Sequence, residues 1–307
     1  MKIEDLIEDS VELVKNNYLS KMKKTKRVFF KCLQEQKSKE QFMTEFKKIW
    51  SDLNYKFMNN RVNELERLID EINKSHPSGE TKRFFEMLSQ SKFDSSLNKY
   101  ENLIQKYYEE RLSTISNGVE DIEAYLSNFV NKYTSHEAMI PYFNKNGTVH
   151  SWHNIADYNS MLFNVNLSRT ALNRMLYDAE YLDKDLVYIP CHPCCHLCAQ
   201  WQGKVYSISG KSKKYHSLDE AYSNGLGHPN CKHVPVIYWD DTQLQEEKYN
   251  SADWRQKYET DQKKKAIKRE LSNQYNDLKI LKELDNQAKI DQVKNRIKKL
   301  RLRLSEL

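Results

Sequence analysis

Glycine and proline are scarce in this chain, with 7 Gly and 6 Pro among 307 residues. Turn-rich all-β domains draw heavily on both, Gly for positive φ and Pro for a fixed φ. Their shortage excludes such a domain and points to long helices with few breaks. No run of about 18 apolar residues occurs, which excludes a membrane-spanning helix. Met1-Lys2-Ile3-Glu4-Asp5 has no apolar run behind it, so neither a secretory leader nor an oxidising compartment is expected. A strong charge imbalance is also missing. The formal net charge of +6 permits contact with nucleic acid or an acidic protein face without demanding it. What the chain does have is 19 Tyr and an aromatic content of 11%, enough for large contact surfaces between helices or with partners.

Cysteine is rare, and its placement is informative. Five of the six, Cys191, Cys194, Cys195, Cys198 and Cys231, fall in one region, with His192, His196 and His233 close by. Cys195-His196-Leu197-Cys198 is answered by His228-Pro229-Asn230-Cys231 at the same internal spacing. Two short loops of this kind converge four sulfur or nitrogen donors on one tetrahedral zinc. The expected metal ligands are therefore Cys195, Cys198, His228 and Cys231, with Cys194, Cys191, His192 and His233 as alternatives. Four good ligands leave no vacant position for an activated water, so structural zinc is favoured over catalytic zinc. Between the knuckles, Trp201 to Ser209 has Gly203 at a turn followed by alternating residues, which predicts a hairpin. Knuckle, hairpin and knuckle together read as a zinc-ribbon-like unit. Cys32 stands alone in a helical pattern and reads as a packed apolar residue.

Residues 1–135 read as helical. Ile3, Leu6, Ile7, Val11, Val14 and Tyr18 recur at three and four, as do Phe42, Phe46, Ile49, Trp50, Leu53 and Phe57. Val62, Leu65, Leu68, Ile69 and Ile72 carry the stripe to a break at His76-Pro77-Ser78-Gly79. Asp94-Ser95-Ser96 offers caps for a new helix through Leu97, Tyr100, Leu103, Ile104, Tyr107 and Tyr108. Asn117-Gly118 interrupts it before Ile122, Tyr125, Leu126 and Phe129. Residues 136–240 form a small α+β module. Asn144 to Val149 gives a turn into a strand, and a helix spans Ile155 to Tyr177 on Met161, Leu162, Val165, Leu172 and Met175. A strand over Asp185 to Pro190 then delivers the chain to the first knuckle.

Residues 241–307 form a charged helical arm. One helix at 261–284 has Ile267, Leu271, Tyr275, Leu278 and Leu281 on its seam, and a break lies at Leu284-Asp285-Asn286-Gln287. A second has Ile290, Val293, Ile297, Leu300, Leu304 and Leu307 at heptad spacing, so a hairpin or coiled-coil arm is expected. Lys263-Lys264-Lys265 and Lys298 to Arg303 make it basic. The fold class is thus mainly α, with a small α+β zinc-ribbon-like central module, a helical N-terminal region and a basic C-terminal helical hairpin.

Three stretches resemble the phage minor capsid proteins, the group related to the Mu-type head-morphogenesis (minor head) family. They are Asn146 to Val149 with the following helix (Tyr158 to Met161, Ser168 to Leu172), Cys195 to Ser207, and Gly225 to His233. Lys232 stands where the family pattern usually has Arg. The resemblance implies a structural, non-enzymatic virion protein at the capsid interior or portal vertex, present in the host cytoplasm during assembly. It implies portal and/or major capsid proteins as partners and phage DNA as a contact of the basic arm. Roles in head assembly and DNA packaging, and ejection with the DNA, follow from the same likeness, which also carries over Cys195, Cys198, His228 and Cys231 as metal ligands.

Two other readings fit less of the chain. A zinc-ribbon DNA-binding protein accounts for the basic arm but not for the second and third matched stretches. His228, Asn230 and His233 invite comparison with His-Asn-His nucleases, but here they are crowded into six residues and stiffened by Pro229. A zinc deaminase fails outright, because no His-x-Glu precedes Pro193-Cys194 and Leu197 stands where a second thiol is needed.

Overall fold

A computed structural model describes residues 2–51, 56–74, 79–116, 139–143, 148–240, 252–283 and 287–307. The order is α1 (Ile3–Gln34), α2 (Lys39–Trp50), α3 (Lys56–Asn73), α4 (Glu80–Ser116), β1 (Met139–Phe143), β2 (Val149–Asn154), α5 (Ile155–Tyr181) and β3 (Leu186–Tyr188). Then come α6 (His196–Ala199), β4 (Val205–Ser207), α7 (Leu218–Ser223), β5 (Val236–Ile237), α8 (Ala252–Glu283) and α9 (Gln287–Ser305). The protein is mostly helical, as the lack of Gly and Pro requires. Among the described residues the sheets are a β1–β2 pair and a three-stranded antiparallel sheet in the order β4-β3-β5.

The chain forms two compact units, each built from three separate segments. One comprises residues 1–15, 54–93 and 159–259. Its core beneath the three-stranded sheet brings Met175 and Ala179 of α5 against Val187, Ile189, Tyr206, Leu218, Ala221, Leu226 and Ile237, with Cys198 and Cys231 inside the same cluster. Phe163 of α5 meets the ring of Phe85 at 5.7 Å.

The other unit comprises residues 16–53, 94–158 and 260–307 and is held by aromatic packing. Phe42 stacks on Tyr108 at 4.2 Å and Phe29 on Tyr107 at 5.5 Å. Trp50 meets Tyr100 at 5.3 Å and donates its Nε1 proton to Thr25 Oγ1 at 2.9 Å. Cys32 is 1% exposed, packed as an apolar residue. Beside this core, α9 returns along α8, with Arg296 pairing with Glu270 at 2.7 Å and Ile290, Val293, Ile297 and Leu300 buried.

Several local expectations change. α4 is unbroken from Glu80 to Ser116, so Asp94-Ser95-Ser96 lies inside a helix rather than capping one. Phe93, Ser96, Tyr100 and Ile104 are buried at three-to-four spacing, and burying such a face outweighs a cap preference of about 1 kcal/mol. The hairpin expected within Trp201–Ser209 is instead β4 paired with β3, so the first knuckle forms its connection. Tyr275 is exposed on α8 while Asn276 and Asp277 are buried, because Asp277 pairs with Lys26 of α1 at 2.6 Å. Strand β1 has no counterpart among the elements expected from the sequence. The breaks read at residues 76–78, 144–147 and 284–286, and everything read at 117–138, lie outside the described residues.

Candidate metal centre

The hairpin base fixes the first knuckle. Ile189 donates its N–H to the Lys204 carbonyl at 3.1 Å and accepts from Gly203 N–H at 2.8 Å, so the excursion 190–202 begins and ends at one point. Gly203 makes the turn at φ 74°, a backbone state that side chains resist. Within the excursion Cys195 is extended (φ −71°, ψ 166°) and caps the single turn α6. The Cys198 N–H reaches back to the Cys195 carbonyl at 3.2 Å. One tight turn therefore presents both sulfurs on the same side.

The second knuckle follows α7, whose cap Ser217 Oγ accepts the Glu220 N–H at 3.0 Å. Gly227 sits at φ 76°, and a Cβ there would lie 2.5 Å from the Tyr222 ring. Only glycine passes this point without displacing the ring. Cys231 N–H then bonds the His228 carbonyl at 2.7 Å, closing the turn. Asn164 of α5 pins this turn, its Nδ2 donating to the carbonyls of Pro229 at 2.9 Å and Cys231 at 3.0 Å.

These constraints bring the four expected ligands together as two close pairs rather than as one group of four. Cys195 Sγ lies 3.1 Å from His228 Nε2, and Cys198 Sγ lies 3.5 Å from Cys231 Sγ. His233 joins them, with Nδ1 3.5 Å from Cys231 Sγ. The donors form two overlapping triads, Cys195–Cys198–His228 and Cys198–Cys231–His233, each with all donor atoms within 4.8 Å. Tetrahedral zinc, with bonds of about 2.3 Å to sulfur and about 2.0 Å to nitrogen, sets its ligand atoms roughly 3.5–3.8 Å apart. The Cys198–Cys231 and Cys231–His233 separations fall at the edge of that range and the Cys195–His228 separation below it, and each triad could hold a metal ion. Cys194 and Cys191 fall outside both triads, and His192 stacks on His233 with ring centroids 3.8 Å apart.

Electrostatics favour the thiolate at Cys195 and Cys231. The hydrogen bond from Cys198, followed by that from His228, draws the Cys195 thiol down to about 3. The Cys231 thiol is lowered chiefly by Cys198, which is itself pushed up by bonding to both sulfurs. Contact with Cys195 raises the His228 imidazole. Burial pushes the Cys194 thiol up to about 12, away from ligand chemistry at neutral pH. Burial first, and then His233, lower the His192 imidazole to about 2, which keeps it neutral.

Three residues that matter here escape sequence reading. Asn164 and Gln202, both buried, hold the second turn and the His233 ring. Arg174 of α5 is fully buried, bonded to Asp178 at 2.8 Å, Asp70 at 2.5 Å, Glu66 at 3.4 Å and Thr81 at 3.1 Å. It ties α5, which supports the second knuckle, to α3 and α4. For Asn164 and Arg174 the signal available was polar residues on the buried face of a helix, which an apolar count ignores, whereas Gln202 lies in a turn.

The structure thus defines a mostly helical protein whose small antiparallel sheet carries a cluster of thiols and imidazoles able to bind a metal. The chain belongs to the phage minor capsid protein 2 family, which it matches over residues 8–307. Family membership supports a structural role in the phage capsid and a place in the virion among other virion proteins, and it suggests a role without catalysis. Among the described residues, no helix is long and apolar enough to cross a membrane. No curated protein and no solved structure matches the chain.

Proposed function

We propose that this minor capsid protein works in head assembly and DNA packaging near the portal vertex, at the capsid interior, and leaves with the DNA at ejection. Its partners in this reading are the portal and major capsid proteins. The regions 1–135, 136–240 and 241–307 are its helical, metal-stapled and basic parts. The ion is structural zinc, held by the thiolates of Cys195, Cys198 and Cys231 with one imidazole, for which matched spacing nominates His228. Such an ion would cross-link two loops 33 residues apart, and the site supplies folding free energy rather than chemistry.

The observation that carries this reading is the family match across residues 8–307. DNA contact through the C-terminal arm has its own support. Residues 252–307 hold 16 Lys or Arg against 9 Asp or Glu, so the chain's formal surplus of +6 lies wholly within this stretch. Lys298, Lys299, Arg301 and Arg303 are all exposed on α9. The test of the whole is localisation by electron cryo-microscopy of purified particles. Density for the chain at the portal vertex is expected, and density spread evenly over the shell would overturn the portal assignment. Metal analysis of the purified protein should find about one zinc per chain. Less than about half an equivalent, unaffected by Cys198→Ser or Cys231→Ser, would remove the metal.

A further inference from the structure

Two imidazoles face the thiol cluster, and their hydrogen bonds set them in opposite ways. Gln202 is 1% exposed. Its Oε1 accepts the backbone N–H of His192 at 3.0 Å and lies 3.0 Å from His233 Nε2. A backbone N–H can only donate, so the Gln202 atom facing it is the oxygen rather than the amide nitrogen. That oxygen in turn requires the proton of the His233 ring to be on Nε2. In a neutral imidazole the other nitrogen then carries the lone pair, and that atom, Nδ1, is aimed at Cys231 Sγ from 3.5 Å.

His228 is set the other way. Its Nδ1 accepts the Asn230 N–H at 3.3 Å, which puts the ring proton on Nε2, the atom 3.1 Å from Cys195 Sγ. This ring donates to a sulfur instead of offering a lone pair to an ion. Burial separates the two as well, because His233 is 3% exposed while His228 is only half-buried. The stacked ring of His192 covers one face of His233.

We infer that His233, through Nδ1, is the imidazole ligand of the metal alongside Cys195, Cys198 and Cys231, with Gln202 as its positioning residue. His228 serves as hydrogen-bond donor to the Cys195 sulfur. The inference rests on the metal-binding reading above and replaces only its choice of histidine. Metal-bound histidines generally give their second ring N–H to an oxygen that fixes tautomer and orientation, and Gln202 Oε1 occupies that place.

The test uses the full chain labelled with ¹⁵N-histidine, before and after one equivalent of Zn²⁺. Long-range ¹H–¹⁵N correlation spectra distinguish a ring bound through Nδ1 from one bound through Nε2. One ring bound through Nδ1 with its proton on Nε2 is expected. Gln202→Leu keeps the imidazole but removes its support, and should weaken zinc binding by about 10–100-fold at unchanged stoichiometry and far-UV spectrum. His228→Ala removes a donor to the Cys195 sulfur but no metal ligand, and should keep one zinc per chain and weaken binding less than Gln202→Leu does. A ring bound through Nε2, or zinc lost in His228→Ala and kept in Gln202→Leu, overturns the assignment while leaving metal binding intact. Failure of the reduced parent chain to take up zinc overturns both.

Discussion

Arg174 shows how much one side chain can organise. Three carboxylates, from Glu66, Asp70 and Asp178, converge on a guanidinium with no solvent exposure. Removing one member of a buried ionic cluster strands the charges that remain, at about 3–5 kcal/mol. Arg174→Met should therefore lower unfolding free energy by about that much in a guanidinium titration, and a loss below about 1 kcal/mol would show the cluster to be solvated. Lysine cannot restore it, since a point charge replaces a three-way fork. Gly227 is the second residue-scale case. Gly227→Ala meets both a positive φ and the Tyr222 ring, and strain of this kind costs on the order of 1–3 kcal/mol. The expected readout is a lower melting temperature together with faster amide exchange at 228–231, while an unchanged melting temperature would mean the ring yields freely.

Among elements, the Lys26–Asp277 pair links α1 to α8 with both side chains 5% exposed. Burial lowers the lysine and raises the carboxyl, so each charge is held at a cost that the other offsets. Each single change, Lys26→Met or Asp277→Leu, should lose about 3–5 kcal/mol, while the double variant should be near neutral or more stable. A double-mutant cycle by urea unfolding checks this, and additive losses would sink it. The pH effect has a definite sign. With the folded pKa of Asp277 above its unfolded value, the folded state holds the extra proton between the two. Its contribution to stability therefore falls as pH rises through that window, and Asp277→Asn should flatten the slope. The same pair explains what the sequence hides. Apolar spacing located α8, α9 and most of α5, because those helices bury stripes of Ile, Leu and Val. It misplaced the inner face of α8 at Tyr275, since a buried aspartate is intelligible only with a lysine 251 residues away in view. β1 was missed for a related reason: a five-residue strand containing Pro141 carries little pattern of its own, and its partner β2 defines it. At the cluster, repeated spacing named the thiols, whereas the support of His233 by Gln202, 31 residues apart, leaves no trace in spacing.

For the molecule as a whole, the staple and the charge should act separately. With zinc in the cluster as proposed, chelation should raise protease sensitivity across residues 190–235 and leave helical circular dichroism largely unchanged, because a structural ion contributes folding energy where it sits. Equal sensitivity with and without chelator would count against this. Replacing Lys298, Lys299, Arg301 and Arg303 by Gln should reduce the salt slope of DNA binding by up to about four, near one unit for each phosphate no longer neutralised. An unchanged slope would count against the proposed DNA contact of the arm. The threading of the chain carries a last consequence. Each compact unit gathers three segments, 1–15, 54–93 and 159–259 for one and 16–53, 94–158 and 260–307 for the other. A single genetic crossover anywhere between residues 17 and 258 would leave both units as patchworks of two parents. Viral genomes that trade parts should therefore exchange this gene whole, and hybrids joined inside it should survive only between close kin.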